Sequence, residues 1–243
     1  MVVTRVNMTL DFELPVLEDD SRRRRQATMG CRVFEAVRQA IVQLQLRPGD
    51  PLSEAEIARQ LGVSRQPVRE AFIKLADSGL LEVRPQRGTF VRLISIREVE
   101  NARFIREAIE VAIVRKAVDM ATAADIGVLT DLIDEQKSVA ARGDNVGFLR
   151  LDEMFHQGIA GSAHCEHAWR VLEGLKTQMD RVRYLSLPQA TPLKRIIEQH
   201  VRIVVGIKAR SAAQAEEAMR RHLSEILVSL PKLAAKNPAL FVD

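Results

Sequence analysis

Asp152 and His156 stand four residues apart in LDEMFH, a spacing that puts a carboxylate and an imidazole on one face of a helix. His200 lies four residues from both Ile196 and Val204, and His222 lies between Met219 and Ile226. Each of these rings therefore points with an apolar stripe toward a core. A buried imidazole needs partners for its ring nitrogens. Separate polar partners within the core would satisfy that need, and so would one metal ion shared by the three histidines and Asp152. Spacing accommodates both. The other two histidines, His164 and His167, flank Cys165 in SAHCEHAW beside Gly161 and Ser162, where exposed capping residues are expected.

A second group of side chains suits nucleic acid. Arg65, Gln66 and Arg69 lie off the apolar stripe formed by Val68, Ala71, Phe72 and Leu75, on the face left to solvent. Arginine near the start of an exposed helix donates a bidentate pair to guanine in the major groove. Arg84 and Arg87 lie in a hairpin over 80–83 and 89–91, turned by Pro85-Gln86-Arg87-Gly88. They are placed to reach phosphates or the minor groove, with Gly88 allowing close approach.

The elements that hold these groups follow from caps and breaks. Ser53 with Glu56 reads as a capping box opening a short helix whose apolar side is Ile57 and Leu61, and Gly62 ends it. Ser64 caps the next helix, with Pro67 in its first turn. Two helices about a tight turn followed by a hairpin predict a winged helix-turn-helix. Upstream, Val33, Val37, Ala40, Ile41 and Leu44 predict one more helix, stopped by Arg47-Pro48-Gly49. From Ser95 onward the pattern is helical throughout, with helices expected near 96–120, 122–142, 144–161, 165–186, 192–210 and 212–230. Thr122, Asp144 and Ser211 are the expected caps; Gly143, Gly161 and Pro188 are the expected breaks. The fold class is mainly α: a winged helix-turn-helix over 31–93, then an all-α six-helix bundle over 94–231. Residues 1–30, with an arginine run at 22–25, and residues 232–243 read as tails.

Composition narrows the class. Of 243 residues, 47% are hydrophobic and only 4% aromatic, which favours aliphatic helix packing. A net charge of +4, from 36 basic and 32 acidic residues, is mild, so DNA affinity must come from local placement. Cys31 and Cys165 make no disulfide framework and fit a reducing cytoplasm. No apolar run approaches a membrane span, and a cytoplasmic location with no membrane partner is expected. No phosphate-binding glycine loop is present.

The stretch LSEAEIARQLGVSRQPVREAFIKLADSGLLEVRPQRGTFV closely resembles the winged helix of the GntR family of bacterial transcription regulators, most specifically in VSRQPVREA. The resemblance implies that Arg65 and Arg69 are recognition-helix contacts and that Arg87 and Gly88 belong to the wing. The preceding helix carries Ala55 and Glu56 near where some members place an arginine. Arg106-x3-Glu110, Asp152-x3-His156, His200 and His222 are similar to the FadR-type C-terminal domain of that family. By that resemblance Asp152, His156, His200 and His222 hold one divalent ion, and Arg106 faces an effector cavity. The alternative for Arg106 is a helix-surface ion pair with Glu110. Three imidazoles and a carboxylate suit zinc, nickel or manganese.

The function these readings imply is a homodimeric regulator, a repressor, that binds a pseudo-palindromic operator in double-stranded DNA and responds to a small organic acid. A metal-sensing regulator and a metal-dependent hydrolase are the alternatives. Arg181 and Arg183, in DRVRYLSL, fit either the effector pocket or a solvent-facing surface.

Overall fold

The computed structural model describes residue 14, residues 28–187 and residues 192–243. The arginine run at 22–25 and the expected break at Pro188 lie outside the described residues. Contacts divide the chain into two units, one ending at Ile94 and taking in Ala239–Phe241, the other Ser95–Pro238 with Val242–Asp243.

The first unit contains α1 (Met29–Val42), β1 (Pro51–Leu52), α2 (Glu54–Leu61), α3 (Arg65–Asp77), β2 (Leu81–Arg84) and β3 (Gly88–Val91). Thr28 caps α1 by accepting from the N–H of Cys31. That helix stops earlier than Arg47-Pro48-Gly49. Leu44 turns left-handed at φ 60°, and the N–H groups of Gln45 and Leu46 both return to the carbonyl of Ala40. Leu46 rather than Leu44 thereby fills the core. Ser53 accepts from Glu56 N–H, but the Glu56 carboxylate is engaged by Arg59 and Gln60. Gly62 closes α2 in the left-handed region, where its lack of a Cβ removes the steric cost. Ser64 occupies the cap position of α3 without a side-chain bond.

The hairpin pairs β2 with β3 in antiparallel register, Val83 opposite Thr89 and Arg84 opposite Gly88. The two-residue β1, invisible in the sequence, adds to the other edge of β3. Val33, Val37, Ile41, Ile57, Val68, Phe72, Leu75 and Leu80 close the core beneath them. Leu14, within the expected tail, is buried in this core.

The second unit contains α4 (Ile96–Met120), α5 (Ala123–Ala141), α6 (Asn145–Ser162), α7 (Glu166–Leu175), α8 (Thr177–Ser186), α9 (Leu193–Lys208), α10 (Ala212–Leu223) and α11 (Glu225–Lys236). Ser95, Thr122, Asp144 and Ser211 each cap as expected, and Thr122 with Asp125 forms a complete capping box. Two of the six expected helices are divided. The stretch 165–186 breaks at Lys176, whose ammonium is drawn inward to Glu153 and Asp180. Beyond the break α8 buries most of its surface, whereas α7 buries only Trp169 and Leu172, so one straight helix would not serve both. The stretch 212–230 breaks at Ser224, whose hydroxyl donates to the carbonyl of Arg221. The expected tail from 232 is ordered: α11 runs through Pro231 to Lys236, then a 3-10 turn leads into β5 (Phe241–Val242). β5 pairs with β4 (Ile94–Ser95).

Helix α9 lies against α5 and α10, and α4 against α6 and α10, so His200 and His222 are carried on neighbouring elements. The α9–α10 approach depends on Gly206, where a Cβ would sit 2.7 Å from the backbone N of Ala215. Gly206→Ala gains helix propensity but must force two backbones apart. A net destabilisation of about 1–3 kcal/mol is expected from overpacking of this kind. Urea titration followed by circular dichroism checks it, and unchanged stability would mean that α10 shifts freely.

Candidate functional sites: a histidine cluster and a basic helix face

Asp152 and His156 come from α6, His200 from α9 and His222 from α10, and all four side chains are buried. One ligand atom from each lies within 4.8 Å of every other. The periodicity that turned each residue inward thus brings them to a single point.

The outer nitrogens determine what the inner ones offer. Nδ1 of His156 lies 2.5 Å from Oε2 of Glu110 on α4, off the line of a straight hydrogen bond. Nδ1 of His222 lies 3.1 Å from Oε1 of Gln199, whose own Nε2 donates at 2.9 Å to the carboxylate of Glu225. That second bond fixes the Gln199 amide, because a carboxylate only accepts. The His222 ring therefore carries its proton on Nδ1 and directs the Nε2 lone pair inward, and the Glu110 carboxylate beside Nδ1 of His156 favours the same tautomer there. Nδ1 of His200 faces Oε1 of Gln136 at 2.8 Å, and its Nε2 lies 3.5 Å from Oδ1 of Asp152.

The consequence is electrostatic. Nε2 of His156 and Nε2 of His222 are 3.0 Å apart, and with both protons on Nδ1 they meet lone pair to lone pair. A proton or a cation relieves that repulsion. Burial and the neighbouring imidazoles hold His222 well below its ordinary pKa. His200 is likewise pushed down by burial to about 3. A divalent cation fits better than a proton: two metal–nitrogen bonds of about 2.0–2.1 Å set their nitrogens roughly 3 Å apart. The donor set of three neutral imidazoles and one carboxylate fits such an ion.

The carboxylates remain charged despite burial. Burial opposes the charge on Asp152, but the Arg183 guanidinium beside it outweighs burial and holds the group below the usual carboxylate range. Glu110 is buried too, and Arg106 and His156 bring it down to about 2. Arg106 and Glu110 do form the ion pair foreseen as the alternative, yet their side chains are only 5% and 3% exposed, so it is not a surface pair. Arg106 also lines a cavity beside Asp152 and His222, together with Arg183 of α8. Arg181 is buried against Gln178 and does not line it. His164 and His167 stay outside the cluster: His164 sits in a left-handed turn and His167 meets Arg170. Gln136, Gln199 and Arg183 are the partners that sequence reasoning missed or left open. No local sequence signal marks the two glutamines, whose role is set by packing between helices.

These depressed pKa values make stability acid-sensitive. Between about 3 and 6.5 the unfolded chain binds a proton that folded His200 does not, so stability rises with pH across that window. His222 acts in the same direction, and Glu110 adds to it between about 2 and 4.5. With metal chelated, the melting temperature is expected to fall as pH is lowered below 6.5. His200→Gln should flatten that slope; an equally steep slope in the variant would contradict a buried neutral His200.

In the first unit, Arg65 and Arg69 project from the start of α3 with side chains 66% and 59% exposed. Glu54 of α2 lies against both, at 3.8 Å from Arg65 and 3.4 Å from Arg69. Gln66 is also exposed and bonds Glu70. In the hairpin, Arg84 pairs with Glu82 and lies over the Phe90 ring at 4.5 Å, which directs it along the sheet. Arg87 and Gly88 form the exposed tip, with Gln86 at φ 61° and Gly88 at φ 106°. A positively charged helix face beside a basic hairpin tip is the shape of a DNA reader.

Comparison with known proteins decides the family. Residues 30–91 match the family described as "Bacterial regulatory proteins, gntR family", and residues 102–225 match the FCD domain. The chain belongs to the GntR family of bacterial regulatory proteins. It is 40% identical over 211 residues to the "HTH-type transcriptional repressor RspR" of Escherichia coli (strain K12), covering 87% of this chain and 92% of that one. It is 31% identical to the "Probable D-xylose utilization operon transcriptional repressor" of Paenarthrobacter nicotinovorans, over the same shares of each chain. The solved structure of E. coli McbR/YncC shares the fold at TM-score 0.72 and 21% identity, covering 86% of this chain and 98% of that chain. This GntR-family protein is a transcription regulator and not an enzyme, which removes the hydrolase alternative. Its winged helix is a DNA-binding domain, and no helix among its described residues is long and apolar enough to cross a membrane.

Proposed function

We propose that this regulator is a homodimeric repressor whose affinity for a pseudo-palindromic operator is modulated by a small carboxylate bound beside a divalent ion in the helical unit. The convergence of three buried imidazoles and the Asp152 carboxylate next to an arginine-lined cavity carries this reading. Asp152, His156, His200 and His222 would hold zinc, nickel or manganese; the ion would supply a positive centre with open positions for an oxygen ligand. Glu110, Gln136 and Gln199 orient the imidazoles, and such supporting bonds set ring direction and basicity.

Arg65, Gln66 and Arg69 would read base edges while Arg84, Arg87 and Gly88 approach the backbone. One small winged helix offers little contact area, so two copies related by a two-fold axis suit the specificity a regulator needs. Sedimentation is expected to give a dimer on operator DNA; a monomer both free and bound would remove this part. The carboxylate changes operator affinity only by preferring one dimer arrangement over another. Operator titrations of the metal-loaded protein, with and without candidate acids, test the whole reading: released DNA supports it, while release by metal alone would make the ion itself the signal.

A further inference from the structure

The two arginines at the cavity are held in different ways. Arg106 Nε donates to Oε1 of Glu110, and the other oxygen of that carboxylate faces Nδ1 of His156 at 2.5 Å. Its charge is engaged in a fixed, almost fully buried line that orients one imidazole. Arg183 is less enclosed, with a side chain 15% exposed. Its Nη2 donates to Oδ2 of Asp152, and its Nη1 donates at 3.1 Å to Oδ1 of Asp180. Asp152 is the same carboxylate that turns Oδ1 toward His200.

We propose that Arg183 is the residue that reads the effector's carboxylate, exchanging Asp152 for it, and that Arg106 is a positioning residue for His156. This rests on the carboxylate reading above and names the residue it implies. Asp152 would be shared between the ion and Arg183, so its hold on the guanidinium would be weaker with the site filled. The guanidinium fork could then offer Nη2 to a carboxylate while Nη1 stays on Asp180. Asp180 is itself fixed, because Lys176 bonds it at 3.1 Å and bonds Glu153 of α6 at 2.5 Å. Arg183 is thus tethered at one nitrogen and exchangeable at the other.

Calorimetric titration of zinc-loaded protein with acetate, lactate and malonate tests this, with zinc content measured for each variant. Arg183→Lys keeps a cation but loses the fork. It is expected to retain zinc and to bind the acids at least tenfold more weakly. Arg106→Gln is expected to bind zinc about 10–100-fold more weakly, as loss of a supporting bond does, and once saturated with zinc to lose much less acid affinity than Arg183→Lys. Fluorescence of Trp169, the only tryptophan, reports zinc independently because its ring is parallel to that of His156 at 6.3 Å. Unchanged acid affinity in Arg183→Lys overturns the assignment. So does a loss of zinc and melting temperature with acid affinity intact in the zinc-bearing fraction, which is how a merely structural arginine would behave. No acid binding to the zinc-loaded wild type overturns the carboxylate reading itself, and this inference with it.

Discussion

His200→Ala is expected to lose the divalent ion and, with it, any response of operator binding to carboxylates, while operator affinity without acid stays within about twofold of wild type. The separation follows from where the residues lie. His200 is fully buried in the helical unit, between Gln136 and Asp152 and stacked on Phe155 at 4.3 Å. Arg65 and Arg69 belong to the winged helix. Loss of a supporting residue alone costs about 10–100-fold in metal affinity, so loss of a ligand should cost at least that. Truncation also leaves a hole beside Phe155, so His200→Gln serves as the better-filled companion. Operator gel shifts with added acid, beside metal content, read both effects. If His200→Ala keeps its acid response, the ion plays no part in signalling.

The second large effect is expected at the recognition helix. Arg65→Ala or Arg69→Ala should each cost about 1–3 kcal/mol of binding to the true operator and less on random DNA. Both side chains project largely exposed from the start of α3, in solvent-accessible pairs with the half-buried carboxylate of Glu54. Such exposed pairs contribute little and give way readily to a stronger partner. Binding measured on operator and random duplexes at two salt concentrations separates the roles. Equal loss on both duplexes would make these arginines phosphate contacts rather than base readers.

What the sequence made legible was whatever is local. Ser53, Gly62 and Pro67 mark the ends of α2 and α3 through bonds and backbone angles reaching only three or four residues. The same holds for Thr122 with Asp125. Asp152, His156, His200 and His222 were legible because each sits on an apolar helix stripe that turns it inward. The break at Lys176 was hidden, since helical periodicity runs through it and its cause is a tertiary pull by Glu153. Strand β1 was hidden for a similar reason: two residues have no pattern, and Pro51 finds Phe90 across the intervening α2, α3 and β2. Gln136 and Gln199 carry no local signal, because an amide facing an imidazole on another helix is defined only by packing. Arg106 and Glu110 were legible as a pair, but their burial was not.

The central claim is that Asp152, His156, His200 and His222 hold a divalent ion. Native mass spectrometry of the wild type, purified without chelator and then offered zinc, nickel and manganese in turn, tests it most directly. One ion per chain, removed by chelator and lost in His200→Ala, is the expected result. A wild-type chain that takes up none of the three would contradict it.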